Sequence, residues 1–443
     1  MIDFLICYEH INREVENDAL IKYELEKRGY SCDIISFNGP GFYKYSRKRN
    51  KAGVVVSPWL RCDENVYHYL QLCDKKNKIV NLQWEQIYNS ANIKSGACNT
   101  TGESLKASHI CWGEYSKNRL KESGCDPDLL PVTGAIQTDY GRPVFDEYYL
   151  SKEELSKNHG LNINKRWILM ISSFAYATYG ESAIKGFVER FGESINEQAK
   201  LHRESLEVTL DWIEKFLLET DTEFIYRPHP SEKNYGRISD LQKKYPNFHV
   251  IRDHSVKQWA KVCDNVNVWL STSNIEILSL GVNYSVIRPI DIPKDIELIS
   301  YYNEDFIDDY ESFKEANLKQ NTLETIDEKI KNLSYYYSFD KNEPAYKKVA
   351  DYLIDMLRSG KSYNFEFNKE DKKAFKRKVI RMKAVSFLEF KCLKSGSTRI
   401  LKFLPIKRLL KENIKKMVDN HISANEMAEK MISYLNDQQN KIS

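Results

Sequence analysis

Two short stretches of this chain carry residue types suited to holding a phosphate. In "RPHPSE" (227–232), Arg227 ends an apolar run and His229 stands between Pro228 and Pro230. Proline fixes φ near −65°, so a histidine held this way loses little entropy on binding and can donate to a phosphate oxygen. The same pattern also serves as a rigid turn with a solvated imidazole. In "WLSTSNIEILSLG" (269–281), an apolar strand runs into Ser271, Thr272 and Ser273 and then into a helix. Backbone N–H groups and the helix dipole at such a start favour an anion, and hydroxyls add donors. Ser273 and Glu276 have the spacing of a capping box; one turn into the helix, Glu276 is alternatively placed to accept bonds from ribose hydroxyls. Arg227 suits three roles: anchoring the loop, meeting a sugar carboxylate, or making a salt bridge beneath the strand edge.

Elements must position these residues. "DFLICY", "YSCDIISF", "KAGVVVSPW" (51–59) and "KIVNLQW" (78–84) read as strands, with helices through "NDALIKYELEKRG" and "ENVYHYLQLCDKKN". "ASHICWGEYSKNRLKESG" (107–124) reads as strand, turn and helix, and "LLPVTGAIQTD" (129–139) closes the set. After a polar connector at 144–165 the alternation restarts at "RWILMISS" (166–173) and runs to "VNYSVIRP", with a terminal helix at 345–360. Strands alternating with helices predict parallel sheets covered on both faces. The expected organisation is a Rossmann-like N-terminal domain (1–150), a Rossmann-like C-terminal domain (151–345) and a helical, basic extension (346–443). Ligands of such sheets sit outside the carboxyl ends of the strands, so a site is expected in a cleft that the two domains face.

Taken together, "RPHPSE" and "STSNIEILSLG" resemble the C-terminal domain of GT-B glycosyltransferases of the bacterial surface-carbohydrate and capsule type. The relatives in view are Kdo transferases and polysialyltransferases, with their HP and Ser-Ser/Thr motifs. "CWGEYSKNRL" (111–120) and "VTGAIQTDYGRP" (132–143) are also similar to that group, although the second lacks the family's proline and arginine between Gly134 and Asp139. The resemblance covers about 100–290 in scattered motifs. It implies an inverting, metal-independent transferase that moves a sugar from a nucleotide-activated donor, CMP-linked in first preference, to a glycan or lipid-linked acceptor. His229 would then bind the donor phosphate and Ser271, Thr272 and Ser273 would share it.

Inverting transfer needs a base for the acceptor hydroxyl. Glu85 in "NLQWEQIYN" stands past a strand beside Trp84, which could stack on a sugar or desolvate the carboxylate. Asp63 and Glu64 in "RCDENVYH" are the other candidates, with a helix N-terminal charge pair as their plainer role. Neither place reproduces the acid-acid-Gly motif of the sialyl and Kdo relatives. His10 and Arg13 in the first strand–helix loop, and Ser173 with Ser172 and Tyr179-Gly180 in the first loop of the second domain, are candidate acceptor or loop contacts. The first loop lacks GxGxxG, which counts against a dinucleotide cofactor, and no cofactor is expected. Two other readings keep the fold: an alditol-phosphate transferase or a sugar-nucleotide epimerase. A third is a non-catalytic assembly protein.

Composition narrows the class. Hydrophobic residues make up 42% of the 443, charged residues 29%, and no apolar run is long enough to span a membrane. The start, "MIDFLICYEHINRE", lacks the basic opening and cleavage site of a signal peptide, which predicts a cytoplasmic protein. Nine cysteines are scattered without a CxxC pair, against a zinc site or a disulfide framework. Between Lys369 and Lys416 there are 17 Lys and Arg against 4 Asp and Glu, although the whole chain carries only +3. With Phe375, Phe387, Phe390 and Phe403 interspersed, and "RILKFLPIKRLLKENIKKM" (399–417) able to form an amphipathic helix broken at Pro405, this stretch suits an anionic membrane surface. It carries no RNA-recognition motif, and nucleic acid is not expected as a partner.

Overall fold

The computed structural model describes the chain apart from residues 95, 97, 98, 283, 303, 320–322, 400, 402–406 and 443. Cys98, Phe403 and Pro405 therefore lie outside the described residues. The chain packs as two compact units. One comprises residues 1–86, 95–139 and 335–443, and the other residues 87–94 and 140–334.

The first unit is built on a five-stranded sheet in which every pairing is parallel. Its strands are β1 (Ile2–Tyr8), β2 (Cys32–Ser36), β3 (Ala52–Ser57), β4 (Cys73–Asn81) and β5 (Ser108–His109), in the order β2-β1-β3-β4-β5. Every residue of β3 is buried, as expected of a strand covered on both faces. Leu5, Cys7, Ile35, Val55, Phe42 and Tyr69 belong to the core on one side. The helix expected to continue to residue 77 stops at Tyr69, and β4 starts at Cys73, which pairs with Ala52. Pairing with β3 outweighs the helical pattern there, at the cost of a register shift between Ala52 and Val54.

Helix Ala345–Arg358 belongs to this unit and is held at both ends. Asp139 accepts the backbone N–H groups of Ala345 (3.0 Å) and Tyr346 (2.9 Å) at its start. At its end the buried ammonium of Lys78 donates to the carbonyls of Met356 (2.5 Å), Leu357 (2.9 Å) and Ser359 (2.7 Å). Carboxylate at the N-terminus and cation at the C-terminus both oppose the helix dipole. Gly134 adopts φ +87°, and a Cβ there would lie 2.5 Å from the Ser338 carbonyl oxygen. The "GAIQTD" stretch thus joins the sheet to the terminal segment. Two long helices follow, Lys369–Ser395 and Arg408–Ile442. The first is docked through Ser386, whose hydroxyl donates to the Gly39 carbonyl (2.6 Å) and accepts from the Tyr43 N–H (2.8 Å).

The second unit carries a six-stranded parallel sheet: β6 (Arg166–Ile171), β7 (Thr222–Arg227), β8 (Phe248–Val250), β9 (Asn265–Val268), β10 (Tyr284–Ile287) and β11 (Phe306–Ile307). Their order is β11-β10-β9-β6-β7-β8. Its core packs Ile168, Met170 and Phe224 of the sheet against Leu206, Leu210 and Ile213 of the long helix Ser194–Glu219. In each sheet the first strand sends its next connection to one side and a later one to the other. The topological switch points are therefore β1/β3 and β6/β9, where open α/β sheets bind ligands. Among the described residues no helix is long and apolar enough to cross a membrane.

Candidate functional site

The second unit places three loops at the carboxyl ends of the neighbouring strands β9, β6 and β7. His229 follows β7 and is exposed. Its Nδ1 accepts the N–H of Ser231 (3.1 Å), so the neutral ring carries its hydrogen on Nε2 and is a donor at that edge. The loop is fixed from beneath by Glu232, a carboxylate 4% exposed. Glu232 accepts the hydroxyl of Ser172, the N–H of Phe174 (2.9 Å) and the hydroxyl of Tyr226 (3.3 Å). One side chain thereby ties the loop after β7 to the loop after β6. Burial pushes its pKa up, and the hydrogen bonds from Ser172 and the backbone N–H groups pull against that. From the other side Arg252 donates to the carbonyls of His229 (3.4 Å) and Glu232 (3.1 Å).

Ser271, Thr272 and Ser273 lie past β9, at the other side of the switch point. Thr272 is exposed, Ser273 is half-buried and Ser271 is buried, its hydroxyl accepting the Ser273 N–H (3.3 Å). Ser273 has helical dihedrals (φ −76°, ψ −3°) and makes no side-chain cap bond, so the spacing with Glu276 does not form a capping box. The turn is braced instead by Tyr301, which donates to the Ser271 carbonyl (2.6 Å), and by Arg288, which donates to the Trp269 carbonyl (3.0 Å). Arg288 is itself held by a buried two-pronged pair with Glu297, both contacts at 2.7 Å.

Arg227 is buried, donates to the His254 carbonyl, and has an Nε with no partner among the described residues. Burial pulls the pKa of its guanidinium down; Glu276 offsets part of this and Arg252 adds to it. His202, on the long helix, is missing from the sequence expectations. It is buried edge-on to Trp269 (4.6 Å between ring centroids), and burial, then His229, lowers its pKa to about 3. Glu232 was visible only as the last letter of the HP motif, and no local pattern marks His202, Arg252 or Arg288 as supports. Ser173 is half-buried in the loop after β6, next to Ser172.

The first unit has a pocket of its own at the β1/β3 switch point, with a volume of about 380 Å³. Glu9, His10 and Arg13 enter it after β1, Trp59 and Arg61 after β3, and Trp84 and Glu85 after β4. Glu85 is half exposed and pairs with Arg13 (2.6 Å) and Arg61 (3.7 Å). Arg13 also binds Glu14, a fully buried carboxylate that accepts the N–H groups of Glu9 (2.6 Å) and His10 (3.2 Å). Burial raises the pKa of Glu14, with Arg13 opposing. The His10 side chain is exposed, with Nε2 3.7 Å from the Glu9 carboxylate. Gln83 adopts φ +46°, uncommon for a residue with a Cβ, and its amide donates to the Glu85 carbonyl (2.9 Å).

The other two carboxylates have different surroundings. Asp63 accepts the Glu103 N–H (2.7 Å), and it lies so close to Gly102 (φ +62°) that a Cβ there would sit 2.1 Å from its oxygen. Glu64 pairs with Lys378 (2.6 Å) in a separate pocket. Among the described residues no group of three or more His, Cys, Asp or Glu is placed to hold a metal ion.

No family model and no curated protein matches this chain. Solved structures do. The wall teichoic acid polymerase TagF is similar at 14% identity and a TM-score of 0.52, covering 80% of this chain and 89% of that one. MnaA of S. aureus, solved with UDP, is similar at 12% identity and a TM-score of 0.50, covering 82% and 100%. A candidate UDP-N-acetylglucosamine 2-epimerase of Listeria monocytogenes gives 12% and 0.50, covering 83% and 100%. At such identities the likeness bears on fold alone: the chain has two parallel-sheet, Rossmann-like α/β units of the GT-B type and a helical C-terminal extension.

Proposed function

We propose that this protein is a metal-independent, inverting glycosyltransferase of bacterial surface-polysaccharide synthesis, with a CMP-linked donor as first preference. The reading rests on the carboxyl edge of β9, β6 and β7. A buried arginine and a histidine with Nε2–H as donor stand at the carboxyl end of β7, and a braced run of three hydroxyl residues follows β9, on the two sides of β6. In transfer, the acceptor oxygen bonds to the anomeric carbon as the bond to the donor phosphate breaks. The electron pair leaves on the phosphate, and fixed donors stabilise that charge. His229, Ser271, Thr272 and Ser273 contact the phosphate in this reading, and Glu276 takes the ribose hydroxyls. Arg227 adds positive charge from beneath.

The acceptor proton goes to a base in the pocket of the first unit. Of the three carboxylates considered, Glu85 is the one that lines it, since Asp63 and Glu64 are engaged elsewhere. Two guanidinium groups compete for the Glu85 oxygens, whereas His10 stands exposed in the same pocket beside Glu9. His10 is therefore the second candidate base, and Trp84 is a wall for the acceptor. Similarity to a wall teichoic acid polymerase supports a second reading, an alditol-phosphate transferase, in which attack falls on phosphorus and the same donors serve.

Product analysis with CMP-, UDP- and GDP-sugars and CDP-alditols separates the two. Sugar transfer is expected, and His229→Ala should cut turnover about 100-fold or more, the scale of losing one oxyanion donor. Transfer from CDP-alditols alone would replace the first reading by the second, and inertness towards every donor would point to an assembly protein. The lipid-linked acceptor also gives the basic helix a role at the inner membrane face. Its exposed Lys372, Lys373, Lys376 and Arg377 should each contribute about 1 kcal/mol to binding anionic vesicles. Sedimentation of the fourfold Gln variant unchanged with such vesicles would refute this role.

A further inference from the structure

A second pocket of the first unit, about 300 Å³, lies where helix Lys369–Ser395 crosses helix Asp63–Tyr69. Such a volume is at the small end of sites that hold organic ligands. Its walls are aromatic. Phe37 meets Trp59 edge-on (5.4 Å between centroids), and Tyr67 leans on Phe375 (5.7 Å). At its rim, Glu64 and Lys378 form an exposed ion pair at 2.6 Å. Trp59 Nε1 and the Tyr69 hydroxyl, on two of its lining residues, have no partner among the described residues but are sealed from solvent, so they do not face its open space. His68, also in the lining, is engaged with the Phe37 carbonyl at 3.0 Å. Trp59 lines this pocket and the pocket of Glu85 and His10 alike, so the two share a wall.

We infer that this aromatic pocket is a glycan subsite that holds one pyranose ring of the acceptor, one or more residues away from the sugar that reacts. The C–H faces of a sugar ring suit aromatic walls. Its hydroxyls are matched as well by the carboxylate and ammonium at the rim. A hydrocarbon chain would fill the apolar part but leave the Glu64–Lys378 pair at the rim unmatched, which disfavours a lipid tail. The helix that closes the pocket on one side, Lys369–Ser395, lies in the C-terminal extension, and the other walls come from residues 37–69. The identification of the sugar as acceptor rests on the transferase reading, while the pocket itself does not.

The test is saturation-transfer NMR on the full chain with cellobiose, maltose, N,N′-diacetylchitobiose and α2,8-linked disialic acid, each at millimolar concentration. At least one disaccharide should receive saturation on the protons of one ring, and Tyr67→Ala should reduce it at least fivefold. Lys378→Met, an exposed change that leaves the aromatic packing in place, should reduce it at least twofold. CMP-induced thermal stabilisation is read on the same samples and should be unchanged in both variants. Saturation from none of the four, or equal saturation in wild type and both variants, overturns the subsite. Loss of the CMP response with saccharide contact retained would overturn the donor reading and leave the subsite standing.

Discussion

Glu232 shows how much of a binding loop depends on one buried carboxylate. It joins the loop after β6 to the loop after β7 by accepting from Ser172, Phe174 and Tyr226. Removing it takes the carboxylate acceptor from three buried donors, which keep only the contacts of Tyr226 (2.7 Å) and the Phe174 N–H (3.4 Å) with the Ser172 hydroxyl, and each donor left unsatisfied costs about 1–3 kcal/mol. Glu232→Ala should lower the unfolding free energy in urea by roughly that amount or more, with Glu232→Gln milder because the amide oxygen still accepts. An unchanged urea midpoint for the alanine variant would contradict this support role. At this scale the sequence disclosed the exposed residues of the site and hid their supports. His229 and the Ser271–Ser273 run announce themselves by type and spacing. Glu232, Arg252 and Arg288 act on backbone atoms far along the chain, and no local pattern encodes such partners. Gln83 is a similar case, because its φ of +46° is set by the surrounding network and not by a glycine.

At the scale of elements, alternation of strand and helix predicted both parallel sheets. Errors fell where pairing overrides local preference, as in the helix that stops at Tyr69 so that Cys73 can pair with Ala52. The roles of helix ends also stayed hidden: "GAIQTD" resembles a family motif, yet its Asp139 caps helix Ala345–Arg358. Helix Lys369–Ser395 carries a further consequence. Glu389 is buried on it, and burial pushes its pKa up to about 8. An unfolded glutamate ionises near its ordinary value of about 4.3. Between that value and about 8 the folded state holds a proton that the unfolded state has released, so this group's contribution to stability falls as pH rises. The advantage of Glu389→Gln over wild type should therefore grow from pH 5 to pH 8 and then level off. Urea titrations at pH 5, 6.5, 8 and 9 measure it, and an advantage independent of pH would contradict the assignment.

At the scale of the molecule, the compact units do not follow chain order. Residues 335–443 pack with the first sheet, although composition set the basic stretch apart as an appendage. The signal of separateness was charge, whereas the cause of docking is a few buried contacts, such as Ser386 on Gly39. Truncating the extension would therefore disturb the first unit, and surface substitutions are the cleaner probe of its charge. What the sequence conveyed at this scale was the GT-B class, through strand–helix alternation and two short motifs. The central claim is that the second unit holds a nucleotide phosphate at His229. It is tested most directly by titration calorimetry of the full chain with CMP, CDP, UDP and GDP, wild type beside His229→Ala. At least one nucleotide should bind the wild type, and the variant should bind it at least tenfold more weakly, a loss of about 1.4 kcal/mol or more. Absence of binding by all four, or equal affinity in the variant, would contradict the claim.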